Sequence, residues 1–302
     1  MMKALITGAG GFVGPHLASL LATQGDEVIG LDLRNGPDLL DGDGWRAALE
    51  LHRPDVVYHL AGWSDVGASW SSPAETFRVN ALGTLSILEA AVLAKVDRVI
   101  LVSSADVYGP VEPAQQPITE RRPARPQSPY GASKAAAETL GLQYQRAHEL
   151  GVIVVRPFNH VGPGQSPRFV APAFAAQIAE AERRGGGEVL HGDLSAKRDL
   201  TDVRDVVRAY RLLADAGVPG EVYNVCRGEA VAMEQLLAML IERSTAPIST
   251  AVDPARLRPV ELPILEGSHE KLSALTGWQP EIPLAVTLAE VVDHARAQHD
   301  RS

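Results

Sequence analysis

Short apolar runs alternate with longer segments of helical periodicity through the first half of the chain. The runs are rich in Val, Ile and Leu, and each spans five or six residues, as strands in a buried sheet do. They lie at Lys3–Thr7, Glu27–Leu31, Val56–Leu60, Arg98–Ser103 and Val152–Arg156. Because helical segments separate them, the pattern predicts an α/β fold with a Rossmann-like, doubly wound parallel sheet.

Apolar positions at helical spacing predict the helices that separate these strands. After a first helix that ends near Leu21, they lie at Gly44–Leu51, Ala74–Ala94 and Tyr130–Leu150. Between the last two, residues 109–129 hold six prolines and little periodicity, which indicates a long loop near the active site.

The alternation becomes irregular after Pro157, and glycine and proline are frequent as far as Pro172. Helices and strands are then predicted at Val170–Arg184, Glu188–His191, Val203–Ala216, Glu221–Val225, Met233–Glu242 and Leu284–Ala297. We therefore predict a Rossmann domain over residues 1–157 and a smaller C-terminal α/β substrate lobe over residues 158–302. Residues of about 203–225 are expected to return to the Rossmann domain.

The composition of the chain argues against several classes of protein. It has 302 residues, of which 45% are apolar and 22% charged, with a net charge of −9 and a single cysteine, Cys226. Such a chain has neither the basic face of nucleic-acid binders nor an internal disulfide. No apolar run reaches the length of a membrane span, and the N-terminus lacks the regions of a signal peptide. We expect a cytoplasmic protein that binds neither nucleic acid nor membrane nor metal.

A glycine-rich turn follows the first strand and opens the first helix. Gly8, Gly11 and Gly14 are spaced three apart, with Phe12 and Val13 between the last two. In that position glycine allows a tight turn and a close approach of pyrophosphate, which the free N–H groups of the helix N-terminus bind. The turn therefore predicts a dinucleotide site.

Asp32, at the end of the second strand, bears on which dinucleotide is bound. A carboxylate there accepts hydrogen bonds from the ribose 2′-hydroxyl and repels a 2′-phosphate, which favours NAD(H). Arg34, two residues on, can hold a 2′-phosphate instead, so NADP(H) stays open. Asp38 and Leu39 lie where a loop can cover the adenine, although a turn followed by a helix cap explains them equally well.

A tyrosine and a lysine begin the long helix after the proline-rich loop. Tyr130 and Lys134 are four residues apart and therefore lie on one helical face. A nearby cation lowers the pKa of a phenol and makes it a usable proton donor or acceptor. Ser103 and Ser104 follow a buried strand, at the sheet edge where α/β folds bind ligands, and a serine there can contact the same substrate oxygen.

Together these motifs resemble the extended short-chain dehydrogenase/reductase superfamily, in its nucleotide-sugar (NAD-dependent epimerase/dehydratase) branch. The resemblance implies that Ser104, four residues before the Tyr of the Val-Tyr-Gly motif, is the catalytic serine, with Ser103 as the fallback. Tyr130 is then the proton donor, and Lys134 tunes it and binds the nicotinamide ribose. Further cofactor contacts implied by the resemblance are Leu33, Leu60, Ala61, Gly62, Val102 and Pro157.

The second half adds motifs that resemble one subgroup, the GDP-4-keto-6-deoxy-D-mannose reductases. They are Arg156–Gln165, Arg198–Asp205, Val222–Cys226, Leu257–Pro259 and Thr276–Pro280. The subgroup reduces a 4-keto group with NAD(P)H to give GDP-D-rhamnose. Guanidinium groups suit a diphosphate, so a nucleotide-diphosphate sugar is the expected partner. The substrate contacts expected are Ser64, Ser104, Asp106, Tyr130, Asn159, Arg198, Arg258 and Glu261.

Other interpretations of the same motifs remain. Dehydratases of the superfamily carry an acid and a base just after the catalytic hydroxyl, and here Ala105 and Asp106 stand in those places. An epimerase, or a redox-sensing module without catalysis, is possible on the same fold. Asn80 lies near the cofactor in the family, and Ser69 can touch the sugar or cap a loop. The resemblance also implies a homodimer formed by the helices predicted at Ala74–Ala94 and Tyr130–Leu150.

Overall fold

The computed structural model describes residues 1–257 and 263–299. The strands are β1 Lys3–Thr7, β2 Glu27–Leu31, β3 Val56–His59, β4 Arg98–Val102, β5 Gly151–Pro157, β6 Asn159–Val161, β7 Gly187–His191, β8 Lys197–Asp202, β9 Val222–Val225, β10 Ala230–Ala232, β11 Ile248–Val252 and β12 Ile264–Leu265. The helices are α1 Val13–Thr23, α2 Gly42–His52, α3 Val66–Ser69, α4 Pro73–Phe77, α5 Gly83–Leu93, α6 Pro129–His148, α7 Val170–Arg183, α8 Val203–Ala216, α9 Met233–Ile241, α10 Glu270–Thr276 and α11 Leu284–His299.

The main sheet has the strand order β2-β1-β3-β4-β5-β9, and every neighbouring pair is parallel. Side chains alternate between its two faces. Ile6 of β1 joins the core that α1 and α8 cover, whereas Leu5 joins the core under α2 and α5. Burial on both faces explains why the strands read as continuous apolar runs. All their carboxyl ends therefore meet at one edge, where such folds bind ligands.

The substrate lobe is built from shorter pieces. Strand β8 pairs with β10, β12 and β6, and β7 pairs with β11 in a second small sheet. Helices α7, α9 and α11 supply most of the lobe's own core. The buried carboxylate of Asp199 in β8 accepts hydrogen bonds from the backbone N–H groups of Arg227, Gly228 and Gly267, so one side chain fastens three segments.

The predicted strands of the main sheet are present, within one or two residues of their predicted ends. The five strands β6, β8, β10, β11 and β12 were not predicted, because β6, β10 and β12 have only two or three residues and β8 and β11 lack a continuous apolar run. Strand β9 lies in the main sheet, and α8 packs against α1. On this ground we propose that the chain divides into domains as the sequence predicts, with residues of about 203–225 in the Rossmann domain.

The helix predicted at Ala74–Ala94 is not a regular α-helix. Helices α4 and α5 are joined by a π-helical turn at Arg78–Leu82, a feature that often marks functional sites. This segment, Pro73–Leu93, is also the one stretch in the described parts of the chain long and apolar enough to cross a membrane. Half of its most apolar window is buried inside the protein, and core helices pass the same test, so it is weak evidence for a span.

Candidate active site

The glycine-rich turn is shaped so that a phosphate group can approach the backbone. Gly8 has φ +71°, and a Cβ there would lie 2.8 Å from the backbone of Ala61. A Cβ on Gly14 would lie 2.3 Å from the carbonyl oxygen of Ala9, so only glycine lets α1 pack this closely on the turn. Helix α1 begins without a side-chain cap and without an acidic residue in its first turn. Its N–H groups thus suit the pyrophosphate of a dinucleotide.

Asp32 and Arg34 form an ion pair across this turn. The Arg34 Nη2 lies 2.6 Å from the Asp32 Oδ2, and both groups lie where a Cβ on Gly10 would be. The hydrogen bonds from Arg34 lower the pKa of the Asp32 carboxyl. Arg34 is largely exposed, so the guanidinium can move away without disturbing the core. From the sequence, Asp32 favoured NAD(H) and Arg34 left NADP(H) open, and the structure shows that the two side chains are bound to each other.

The other predicted cofactor residues gather at the carboxyl ends of neighbouring strands. They are Leu33 after β2, Leu60, Ala61 and Gly62 after β3, Val102 at the end of β4, and Pro157 at the end of β5. Asp38 accepts a hydrogen bond from the Leu40 N–H, and Leu39 packs on Gly83. A turn is therefore present there, and the contact of this loop with an adenine stays a prediction.

The side chains of Ser104, Tyr130 and Lys134 come together at the same edge. They are 8%, 7% and 9% exposed, so the protein buries most of each residue. Helix α6 begins at Pro129, and the Ser128 hydroxyl caps it by accepting the Gly131 N–H at 2.9 Å. This cap fixes Tyr130 in the first turn, next to the segment that follows β4.

The two adjacent serines have different partners. Ser104 donates a hydrogen bond to the Asp106 Oδ2 at 2.8 Å and accepts the Asp106 N–H at 3.1 Å, and its hydroxyl lies close enough to Tyr130 to affect the pKa of the phenol. Ser103 instead donates to the buried carboxylate of Glu138, behind the site. Ser103 is therefore held by a structural partner behind the site, whereas Ser104 is bound within the segment that follows β4, which favours Ser104 as the serine that contacts the substrate.

The electrostatics of Tyr130 correct one expectation from the sequence. Burial raises the pKa of the Tyr130 phenol, the charge of Asp106 raises it further, and the Ser104 hydroxyl opposes the rise. A pKa lowered by Lys134 was expected, but that prediction is wrong for the protein alone. The Lys134 Nζ donates to the carbonyl oxygen of Val102 at 2.9 Å, and burial lowers its pKa to about 8. Tyr130 therefore keeps its proton at neutral pH, as a proton donor must.

Asp106 connects the serine to the substrate lobe. The side chain is half-buried, and burial raises the pKa of its carboxyl, while the Ser104 hydrogen bond and the charge of Arg198 lower it. Arg198, the second residue of β8, thus lies within electrostatic reach of the catalytic side chains. Its guanidinium also donates to the carbonyl oxygen of Lys197.

The remaining substrate candidates differ in placement. Asn159 is exposed at the start of β6, and Ser64 is exposed after β3. Ser69 is buried, where it accepts the Tyr130 N–H at 3.3 Å and donates to the Val66 carbonyl, so it caps a loop. The two other candidates, Arg258 and Glu261, lie outside the described residues.

Asn80 stands on the π-helical turn and holds the segment after β3. Its Oδ1 accepts the Trp63 N–H at 2.7 Å, and its Nδ2 donates to the Trp63 carbonyl at 3.1 Å and the Ser133 hydroxyl at 2.9 Å. Ser133 in turn donates to the carbonyl oxygen of Tyr130. Every polar atom of this amide is engaged, so the geometry favours the structural interpretation of Asn80.

A buried ion pair behind the site was not recognised in the sequence. Glu138 and Arg156 are 4% and 6% exposed, and the Arg156 Nε and Nη2 donate to the two carboxylate oxygens at 2.8 and 2.6 Å. The guanidinium also stacks 4.7 Å over the Tyr108 ring. The only signal in the sequence was the spacing of Glu138, one helical turn beyond Lys134. No group of three or more His, Cys, Asp or Glu side chains in residues 1–257 and 263–299 could hold a metal.

Known proteins share the sequence family and the architecture of this chain. Residues 4–226 match the NAD dependent epimerase/dehydratase family. The chain is 39% identical to GDP-6-deoxy-D-mannose reductase of Pseudomonas aeruginosa over 296 residues, 96% of each chain. A solved structure of RMD from Pseudomonas aeruginosa with NADPH superposes with a TM-score of 0.92, at 36% identity, over 99% of this chain and 100% of that one.

A second similar solved structure is that of an enzyme with a different activity. It is the UDP-glucose 4-epimerase of Thermus thermophilus with NAD, with a TM-score of 0.86 and 31% identity, covering 98% of this chain and 99% of that one. The family match covers most of the chain, and the glycine turn and the Ser104, Tyr130 and Lys134 side chains share one sheet edge. The chain belongs to the NAD dependent epimerase/dehydratase family.

Proposed function

We propose that the protein is a sugar-nucleotide 4-keto reductase that converts GDP-4-keto-6-deoxy-D-mannose to GDP-D-rhamnose with NAD(P)H. The name of the Pseudomonas relative supports this substrate, and its match runs along 96% of both chains. The observation that carries the proposal is the convergence of Ser104, Tyr130 and Lys134 beside a dinucleotide turn. A neutral phenol beside a buried ammonium is suited to protonating an oxyanion.

Each of the three side chains has its own part in the reaction. The cofactor supplies the hydride that adds to C4 of the keto sugar. Tyr130, which keeps its proton at neutral pH, gives that proton to the sugar O4. Ser104 orients O4 by a hydrogen bond, and Lys134 brings a positive charge beside Tyr130 as negative charge develops.

A dehydratase is the main alternative on this fold. That reaction needs both a base for the C5 proton and an acid for the departing C6 hydroxyl. The residue after Ser104 is the buried Ala105, which offers no proton, and Asp106 has its carboxylate engaged by Ser104. The described part of this segment thus supplies one carboxylate where dehydration uses an acid and a base, which favours reduction.

The cofactor preference rests on Asp32 and Arg34. The RMD structure of Pseudomonas contains NADPH, and the Thermus epimerase structure contains NAD. In this chain a carboxylate that suits a ribose 2′-hydroxyl is already paired with a guanidinium that suits a 2′-phosphate. We infer that the protein accepts both NADH and NADPH.

The substrate diphosphate is expected between the main sheet and the lobe. Arg198 lies on the side of Asp106, and its charge can compensate a diphosphate on an otherwise acidic protein. We propose Arg198 as the described residue that holds this group, with Asn159 beside it. Arg258 and Glu261 remain candidates from the sequence.

The function is tested by incubating the protein with NADPH or NADH and GDP-4-keto-6-deoxy-D-mannose. We expect loss of absorbance at the reduced-nicotinamide band and formation of GDP-D-rhamnose. A matched reaction with GDP-mannose and the oxidised cofactor tests for dehydration. Formation of the keto sugar in that reaction without reduction in the first one would make the protein a dehydratase.

We also propose a homodimer in the cytoplasm. Phe77 and Leu82, on the segment between α4 and α5, are 44% and 45% exposed. Leu142 and Tyr144 of the neighbouring α6 are only half-buried. A second copy of the chain would cover these side chains. Sedimentation at micromolar concentration should give twice the 32.2 kDa of one chain, and a monomer would contradict the dimer.

A further inference from the structure

We propose that the buried Glu138–Arg156 ion pair positions Lys134, by holding a compensated carboxylate one helical turn away from the ammonium. The role goes beyond the reduction itself but rests on the proposed function of Lys134 beside Tyr130. Glu138 and Arg156 touch neither substrate nor cofactor in this scheme, so they are positioning residues.

The pair is held from four elements of the main domain. Glu138 lies on α6, Arg156 on β5, and Ser103, at the end of β4, donates a third hydrogen bond to the same carboxylate. Tyr108 lies beneath the Arg156 guanidinium and donates its own hydroxyl to the Asn224 Oδ1 at 2.6 Å. The carboxylate thus accepts three hydrogen bonds, two at Oε1 and one at Oε2, and the guanidinium keeps one buried nitrogen, Nη1, without a hydrogen-bond partner.

Two acceptors lie near the Lys134 ammonium, the Val102 carbonyl and the Glu138 carboxylate. Its Nζ donates to the Val102 carbonyl, at the edge where the cofactor and substrate bind. Glu138 follows one turn later on the same helix, and residues at this spacing are neighbours on one face, so an ion pair between them is within reach. Because Arg156 and Ser103 already satisfy the Glu138 carboxylate, Lys134 stays on Val102 and faces the site.

Titratable groups on α6, β3 and β5 surround Lys134. Glu138 and Tyr130 share its helix, and the charge of Glu138 raises the pKa of Lys134 while burial lowers it. His59 lies at the end of β3, where burial lowers its pKa to about 3 and keeps it neutral. Arg156 on β5 is bound to Glu138. The ion pair is therefore the principal source of charge that a substitution can unbalance.

The proposal predicts that substitutions of Glu138 and of Arg156 change the proton affinity of Lys134 in opposite directions. Glu138→Gln removes the anion that favours the charged ammonium, so Lys134 should lose its proton more easily. Arg156→Met leaves the Glu138 charge uncompensated, so Lys134 should hold its proton more tightly and turn towards Glu138. A charge at this range typically changes proton affinity by about tenfold or more.

The test is a ¹³C NMR titration of the lysine side chains in the folded protein without cofactor. The chain has only five lysines, Lys3, Lys95, Lys134, Lys197 and Lys271, so Lys134→Arg assigns the signal. We expect wild-type Lys134 to titrate near pH 8, and the proton affinity to fall about tenfold in Glu138→Gln and rise about tenfold in Arg156→Met. The double variant should titrate close to wild type, because it leaves neither charge unbalanced.

A second buried ion pair provides the control. Asp26 and Arg211 join the segment before β2 to α8, far from the catalytic edge, and Arg211 Nε donates to Asp26 Oδ2 at 2.7 Å. Asp26→Asn should lower the thermal stability and leave the Lys134 titration unchanged. Shifts of the same sign in both site variants, or none beyond those of Asp26→Asn, would make the Glu138–Arg156 pair a folding element only.

Conservative variants guard against failure to fold, since an unpaired buried charge is strongly destabilising. Arg156→Lys keeps the cation but loses the bidentate pairing, and Lys134 should then titrate as in wild type. Glu138→Asp keeps the anion and should likewise preserve the titration. A titration that moves in these two variants as far as in Glu138→Gln and Arg156→Met would overturn the proposal.

The NMR titration tests the role of the ion pair independently of the reductase assay. The NMR titration needs neither substrate nor cofactor, so it stands even if the protein does not reduce the keto sugar. If the protein is the reductase, the alkaline limb of kcat/KM should move to lower pH in Glu138→Gln and to higher pH in Arg156→Met. A structural defect would lower activity by the same factor at every pH.

Discussion

The carboxyl edge of the main sheet and the substrate lobe hold their functional residues in different ways. At the sheet edge, Ser104, Tyr130 and Lys134 are buried and have partners from the protein itself. In the lobe, Asn159 is exposed on the three-residue strand β6. Arg198 lies on β8, which pairs with strands of two or three residues. The comparison teaches that the fold buries and preorganises the catalytic edge, whereas it leaves the lobe's substrate candidates on short strands, with Asn159 exposed.

The largest effect is expected from Tyr130→Phe, which removes the proton donor and hardly changes the packing. We expect kcat to fall by roughly 10²–10⁴-fold, the range of general acid catalysis, with the Kd of the cofactor unchanged. Steady-state kinetics and a fluorescence titration of NADPH measure the two quantities. Activity near that of wild type would show that the buried edge is not the site of proton transfer.

The two adjacent serines sharpen the comparison within the preorganised edge. Ser104→Ala should lower kcat by roughly 10²-fold, as the loss of one donor to a developing oxyanion does. Ser103→Ala should lower the free energy of unfolding by about 1.5–3 kcal/mol, through the lost bond to the charged Glu138, and should lower kcat far less than Ser104→Ala does, because Arg156 still holds the carboxylate. Kinetics and thermal unfolding of both variants are required. The reverse result would make Ser103 the catalytic serine.

The lobe is probed by Arg198→Ala. The loss of one charge-assisted hydrogen bond to a diphosphate costs about 1.5–3 kcal/mol, so KM for the sugar nucleotide should rise about ten- to a hundredfold. The Kd of NADPH should not change. Arg227→Ala, which removes a guanidinium bound to the Ile282 carbonyl in the same lobe, is the control that should leave KM near wild type. An equal effect of both variants would assign Arg198 to lobe structure.

The smallest effect is expected at the exposed rim of the cofactor site. Arg34→Ala removes the cation that compensates Asp32, so the affinity for NADPH should fall about tenfold while that for NADH changes little. Fluorescence titrations with both cofactors at fixed ionic strength measure this. An equal loss for both would mean that Arg34 binds the pyrophosphate and not the 2′-phosphate.

The sequence predicted the sheet edge better than the lobe, for a physical reason. Gly8, Asp32, Tyr130 and Lys134 each lie in a local pattern, a turn after a strand or one turn of a helix, and such patterns follow from nearest neighbours along the chain. The lobe strands are two to six residues long, and partners distant in sequence stabilise them, as Asp199 does for Arg227 and Gly267. No local periodicity predicts such partners.

By itself the sequence determined the strands of the main sheet, the dinucleotide turn and the family-like set of Ser104, Tyr130 and Lys134. Only the tertiary structure distinguished the two serines, because it pairs Ser103 with Glu138, which is 35 residues away. It also decided that the Tyr130 proton is retained at neutral pH and that Asp32 is paired with Arg34. Burial and the neighbours of a charge set these properties, and both depend on segments that meet only when the chain has folded.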